Sequence, residues 1–153
     1  MNTCIKPDSI LYAHLANTTF SIYFELNDLR KARPHGEAAL AIRKRLDTEE
    51  EYSNTLSNMG NLYSAEGRLA DALRCFDASE TIRQRLGKEG IIGLALTRLG
   101  IGRAYALQGD YAAAEARFTM AQDAILRTFG PDGHFMPEYA PALHISGPPS
   151  PTR

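Results

Sequence analysis

No run of apolar residues in this chain reaches the ~18 that a membrane-spanning helix needs, and the N-terminal MNTCIKPDS is polar where a secretory leader would be apolar. A dominant charge is missing too. The 17 Lys and Arg against 18 Asp and Glu leave a net charge of −1, so no global field recommends nucleic acid or an anionic membrane as partner. Cysteine is scarce. Of Cys4 and Cys75, the second adjoins Phe76 in an apolar helical pattern and reads as a buried structural thiol, which suits a reducing compartment. These features predict a cytoplasmic protein.

The hallmarks of catalysis are also lacking. No two of His14, His35, His134 and His144 stand at the i, i+4 spacing that presents two metal ligands on one helix face. No phosphate-cradling glycine loop occurs, and Gly100-x-Gly102 has no third glycine at dinucleotide-binding spacing. Glu49, Glu50 and Glu51 form a run suited to the positive end of a helix rather than to acid–base work. The sequence therefore predicts no catalytic residue, no metal and no cofactor.

One pattern, by contrast, occurs three times: YFELNDLRKA from Tyr23, YSAEGRLADA from Tyr63 and YALQGDYAAA from Tyr105. The same register carries Leu29, Leu69 and Tyr111, then Ala32, Ala72 and Ala114, then Phe76 and Phe118. A period of about forty residues marks an all-α array of stacked helical repeats. Each period describes two helices and a tight turn. In the middle repeat Leu56, Met59, Leu62 and Tyr63 share one helical stripe, Thr48 and Glu51 have capping-box spacing, and Gly67 can take positive φ past the helix end. A long second helix follows from Leu69 to Leu86. The third repeat has Gly102, Tyr105, Gly109, Ala114, Phe118 and Ala121 in the same places, with Asp110 as cap. Ala72 and Ala114 are expected where paired helices approach most closely. In the first repeat Asn27 replaces the turn glycine, which asparagine tolerates. Phe20 stands where the others have Gly60 and Gly102, and a ring there is expected to push the first pair apart.

These residues resemble the tetratricopeptide repeat, whose pattern is matched by Gly60, Tyr63, Gly67, Leu69, Ala72 and Phe76 and again by Gly102, Tyr105, Gly109, Tyr111, Ala114, Phe118 and Ala121. The long period, AALAIRKRL from Ala38, ETIRQRLG from Glu80, FGPDGH from Phe129 and Pro34 after Ala32 resemble the variant of kinesin light chains and of fungal and bacterial STAND-type receptors. In that variant Ala-x-Pro lies in the first turns of the second helix, and Pro34 needs no amide partner if it falls in the first of them. The resemblance implies a right-handed solenoid of three helix-turn-helix units. The expected layout is an N-terminal extension at 1–12, a repeat domain at 13–134 divided at 13–52, 53–94 and 95–134, and a Pro-rich tail at 135–153.

It also implies a scaffold that binds an unidentified protein or peptide along a concave groove lined by first-helix residues. Carried over, these are Asn17, Ser21, Asn54, Asn58, Asn61, Arg103 and Leu107. Asn54, Asn58 and Asn61 follow i, i+4, i+7 and form a polar stripe opposite Met59 and Tyr63. Amides donate and accept, which suits gripping a peptide backbone, and asparagine is a poor helix former that a merely solvated face gains nothing by using. Family members that clamp a chaperone's terminal carboxylate carry basic residues where this chain has Asn17, Leu96 and Gly100, so that role is not expected. An alternative is a partial sensor or self-association array of a STAND-type protein, and a more remote one is a small-molecule enzyme. Arg43, Lys44, Arg45, Arg83 and Arg85 read as solvated charges favouring helix C-termini, or as an aligned ridge for an acidic partner. After Gly130 six of the eight prolines crowd into the tail. Phe135, Met136, Tyr139, Leu143 and Ile145 are expected to fold back over the last helix, with self-association through that uncapped end if they do not.

Overall fold

The computed structural model describes Lys6, residues 8–46 and residues 48–130. They form six α-helices in three antiparallel pairs: α1 (Ile10–Glu25) with α2 (Leu29–Leu46), α3 (Glu49–Ala65) with α4 (Leu69–Leu86), and α5 (Ile91–Leu107) with α6 (Tyr111–Phe129). A short 3₁₀ turn, Gly87–Gly90, joins the second pair to the third. Each helix packs most extensively on its pair-mate and next on its neighbour in chain order, which is the contact pattern of a solenoid. The expected docking of Phe135 to Ile145 lies outside the described residues.

The turns show why the register repeats. Asn27, Gly67 and Gly109 have φ of 57°, 74° and 81°, and each reverses the chain between paired helices. In all three the amide three residues past the helix end returns to the tyrosine carbonyl: Asp28 N to Tyr23 O at 2.9 Å, Arg68 N to Tyr63 O at 2.8 Å, Asp110 N to Tyr105 O at 3.0 Å. These bonds, with Asn27, Gly67 and Gly109 bonding one turn back, close the Schellman motif and satisfy carbonyls the helix leaves free. Side chains cap the starts. Asp28 accepts from Lys31 N at 3.2 Å, Thr48 from Glu51 N at 3.3 Å and Asp110 from Ala113 N at 3.0 Å. The Lys31 ammonium, 3.0 Å from Asp28 Oδ2, holds the Asp28 carboxyl below its ordinary pKa, and the Lys31 backbone amide adds to the effect.

Large and small residues interlock in the core. The Phe76 ring lies on Gly60, where an added Cβ would come within 2.7 Å of it, and Phe118 lies on Gly102 at 2.5 Å by the same measure. The first pair reverses this. Phe20 is on α1 and 3% exposed, and the glycine is on α2: a Cβ on Gly36 would meet Phe20 Cδ2 at 2.8 Å and Met59 Sδ at 2.5 Å. Phe20 therefore does not push the helices apart, because Gly36, forty residues before Phe76 in the register, supplies the space. Ala72 is fully buried and Ala114 nearly so. With α2 beginning at Leu29, Pro34 falls in the second turn, where the Arg30 carbonyl loses its usual amide.

Candidate functional site

On the α1–α3 face Asn17, Ser21, Asn58 and Asn61 come together. Asn58 Nδ2 donates to Asn17 Oδ1 at 3.3 Å, and Ser21 Oγ donates to the Asn17 carbonyl at 3.1 Å. Beside them opens a recess of about 190 Å³ lined by Phe20, Ser21, Phe24, Glu25, Asn58 and Asn61. The Phe20 and Phe24 rings stack with centroids 5.6 Å apart. The recess thus offers an aromatic wall, two amides and one carboxylate. Asn61 is partly buried and lines the recess. Arg103 and Leu107 are exposed on α5, Leu107 at 67%, and neither lines this recess. Phe24 and Glu25 were not identified from the sequence; they join the recess through the packing of α1 on α3.

Asn54 belongs to a second polar centre. Its Oδ1 accepts from Arg83 Nη2 at 2.6 Å, and Arg83 Nε donates to Ser79 Oγ at 3.0 Å. Ser79 lies within 2.8 Å of Ser57 Oγ and 3.3 Å of Thr97 Oγ1, and Ser57 within 3.0 Å of Thr97, so three hydroxyls from α3, α4 and α5 meet. Ser79 and Thr97 are fully buried and Arg83 is 6% exposed. Burial pulls the Arg83 guanidinium below its ordinary pKa, against a smaller opposing pull from Glu50.

Forty residues earlier in the register, Arg43 makes the matching excursion at 2% exposure. It donates to Thr55 Oγ1 and to the Glu51 carbonyl, lies 3.0 Å from His14 Nδ1, and pairs with the Glu51 carboxylate at 2.5 Å. Of the basic residues singled out in the sequence, Lys44, Arg45 and Arg85 are exposed as solvated charges and the other two are not. Arg43 and Arg83 turn inward at the junctions between pairs, while Arg85 pairs with Glu49 at 2.9 Å across the outside. A polar junction had no signal in residue type alone; it appears once the fold brings Ser57, Ser79 and Thr97 into one place.

Glu80 clasps the third pair. Its two oxygens accept from Arg98 of α5 at 2.8 Å and Arg117 of α6 at 3.1 Å, with Glu80 itself 8% exposed. Cys75 is half-buried, and burial pushes its thiol above the usual range. Among the described residues no helix is long and apolar enough to cross a membrane, and no group of His, Cys, Asp and Glu side chains is arranged to hold a metal.

The tetratricopeptide-repeat family model matches the chain over residues 17–85 and again over 51–127. Among solved structures, BtubC (BKLC) from P. vanneervenii is similar with a TM-score of 0.73 and 25% identity, over 81% of this chain and 50% of that one. The chain thus spans half the length of that solved relative. No curated protein matches it.

Proposed function

Because the chain belongs to the tetratricopeptide-repeat family, whose repeats generally mediate protein–protein interaction, we propose that it is a non-catalytic scaffold holding an extended peptide segment along its first-helix face. The Asn17–Asn58 pair beside the aromatic recess is the observation that supports this reading. An extended chain presents a donor and an acceptor at each residue, and side-chain amides can answer both. Phe24, stacked on the buried Phe20, offers apolar surface to one side chain of the segment, and the exposed Arg103 and Leu107 continue the face along α5. A cytoplasmic setting, with its peptide motifs on other soluble proteins, fits the composition.

The test is selection of linear peptides from a displayed library on the full chain, followed by affinity measurement on the Asn58→Ala, Asn61→Ala double variant. Binding should fall at least about tenfold, each lost hydrogen bond being worth roughly 1 kcal/mol. Helicity should be unchanged or higher, since alanine is the better helix former. Undiminished binding by the folded double variant would move the site off this face.

A further inference from the structure

The two inward arginines are placed alike and neutralised differently. Arg43 finds the Glu51 carboxylate in the first turn of α3. The position matching Glu51 in the first turn of α5 is Gly93, and Arg83 Nη1 occupies the place that a Cβ on Gly93 would take. Arg83 spends its Nε on Ser79 and its Nη2 on Asn54, and Nη1 donates to no described residue. No carboxylate among the described residues lies within ion-pair distance of it, and Glu50 acts on it only from farther away.

The start of α5 differs from that of α3 in the same sense. α3 is capped by the Thr48 side chain and carries three glutamates in its first turn. α5 follows Gly90, which makes no side-chain cap bond, and has no acidic residue in its first turn. The positive end of a 17-residue helix and a buried cation therefore converge on one glycine. Arg83 is largely buried with no ion-pair partner among the described residues, its Nη1 is left for solvent or a ligand, and a carboxylate is the partner that a guanidinium and a helix N-terminus both favour.

The geometry points to a carboxylate-binding site formed by Arg83 Nη1, Gly93 and the first turn of α5, with Asn54 and Ser79 holding the guanidinium in place. The incoming carboxylate does for Arg83 what Glu51 does for Arg43. This deepens the scaffold reading by making the bound segment acidic at that point, and it rests on that reading for its biology. It shares no residue with Asn17, Leu96 or Gly100, where related proteins clamp a terminal carboxylate.

The experiment needs no partner protein, so it can fail separately from the Asn58 and Asn61 test. The full chain is ¹⁵N-labelled, and the Arg83 Nε and Gly93 amide signals are followed by NMR while N-acetylaspartate α-amide or N-acetylglycine is added at constant ionic strength. Saturable shifts of both signals are expected. A response to the first probe alone identifies a side-chain carboxylate, to the second alone a chain terminus, and to both the shared group. Arg83→Gln removes the Nη1 donor while leaving Gly93 in place, so affinity for the probes, read at the Gly93 amide, should be at least about tenfold weaker, the worth of one charge-assisted hydrogen bond. Should that variant not fold, Arg83→Lys, which keeps the charge and loses the guanidinium fork, read at the Gly93 amide serves the same purpose. Shifts no larger than those from sodium chloride, or full responses in the folded variants, overturn the assignment.

Discussion

Arg98 of α5 reaches back across the junction to Glu80 of α4 at 2.8 Å, and the same carboxylate also holds Arg117 of α6. One acidic side chain thus ties three helices together, and Glu80 is nearly buried while Arg98 is 13% exposed. Glu80→Gln should destabilise the protein by about 3 kcal/mol, because it strands two partly buried guanidinium groups. Urea unfolding followed by circular dichroism measures this, and a change within about 0.5 kcal/mol would mean that solvent replaces the carboxylate.

Phe20 and Gly36 form a pair of exchanged sizes. Phe20→Gly should cost about 3–5 kcal/mol through the cavity it leaves. Gly36→Phe should cost at least about 1–3 kcal/mol by overpacking Phe20 and Met59. The double variant recreates the arrangement of Gly60 with Phe76, so it should be at least about 1 kcal/mol more stable than the two effects added. Strict additivity would break the proposed reciprocity.

Ala72 has no exposed surface and packs among Phe76, Ile101 and Ala104. Ala72→Arg should lower stability by at least the ~1–3 kcal/mol of core overpacking, with the desolvation of a charge added. A thermal melt superimposable on wild type would remove Ala72 from the helix interface.

Burial raises the Cys75 thiol above its ordinary value of 9.0 and the neighbouring Tyr63 phenol above 10.0. Both groups hold their protons more tightly folded than unfolded. Their contribution is therefore complete below the unfolded values and is lost as pH rises through the folded ones. Unfolding midpoints should fall from about pH 9 upward, and Cys75→Ala should flatten the early part of that fall. Iodoacetamide should modify Cys75 more slowly in the native protein than in urea, with peptide mass spectrometry separating it from Cys4. Equal rates would place the thiol in solvent.

What the sequence made legible follows the range over which each rule acts. Asn27, Gly67 and Gly109 declared their turns because a positive φ is a local demand met by few residue types, and the structure gives all three that conformation. The helix pairs followed from spacing alone. The place of Phe20 was misjudged because its complement lies on another helix, sixteen residues on, and a ring without its socket looks like an obstruction. Arg83 was misread for a related reason. An arginine in the last turn of a helix is ordinarily solvated, and only Ser79, Asn54 and the bare backbone at Gly93 make its burial workable. In the recess the asparagines could be named one by one, but Phe24 and Glu25 join them only through the packing of α1 on α3.

Hairpins built on one plan carry a hazard of their own: during folding a helix can close on the mate that belongs to another hairpin and trap the chain. The Phe20–Gly36 reversal works against that error. Were α1 to close on α4, two rings would compete for one space; were α3 to close on α2, two glycines would face each other across a gap. Either mismatch loses the contact that makes a pair worth forming, so the first hairpin is told apart from its neighbours by shape. An array whose units were all alike at this position would have to rely on chain connectivity alone to sort them.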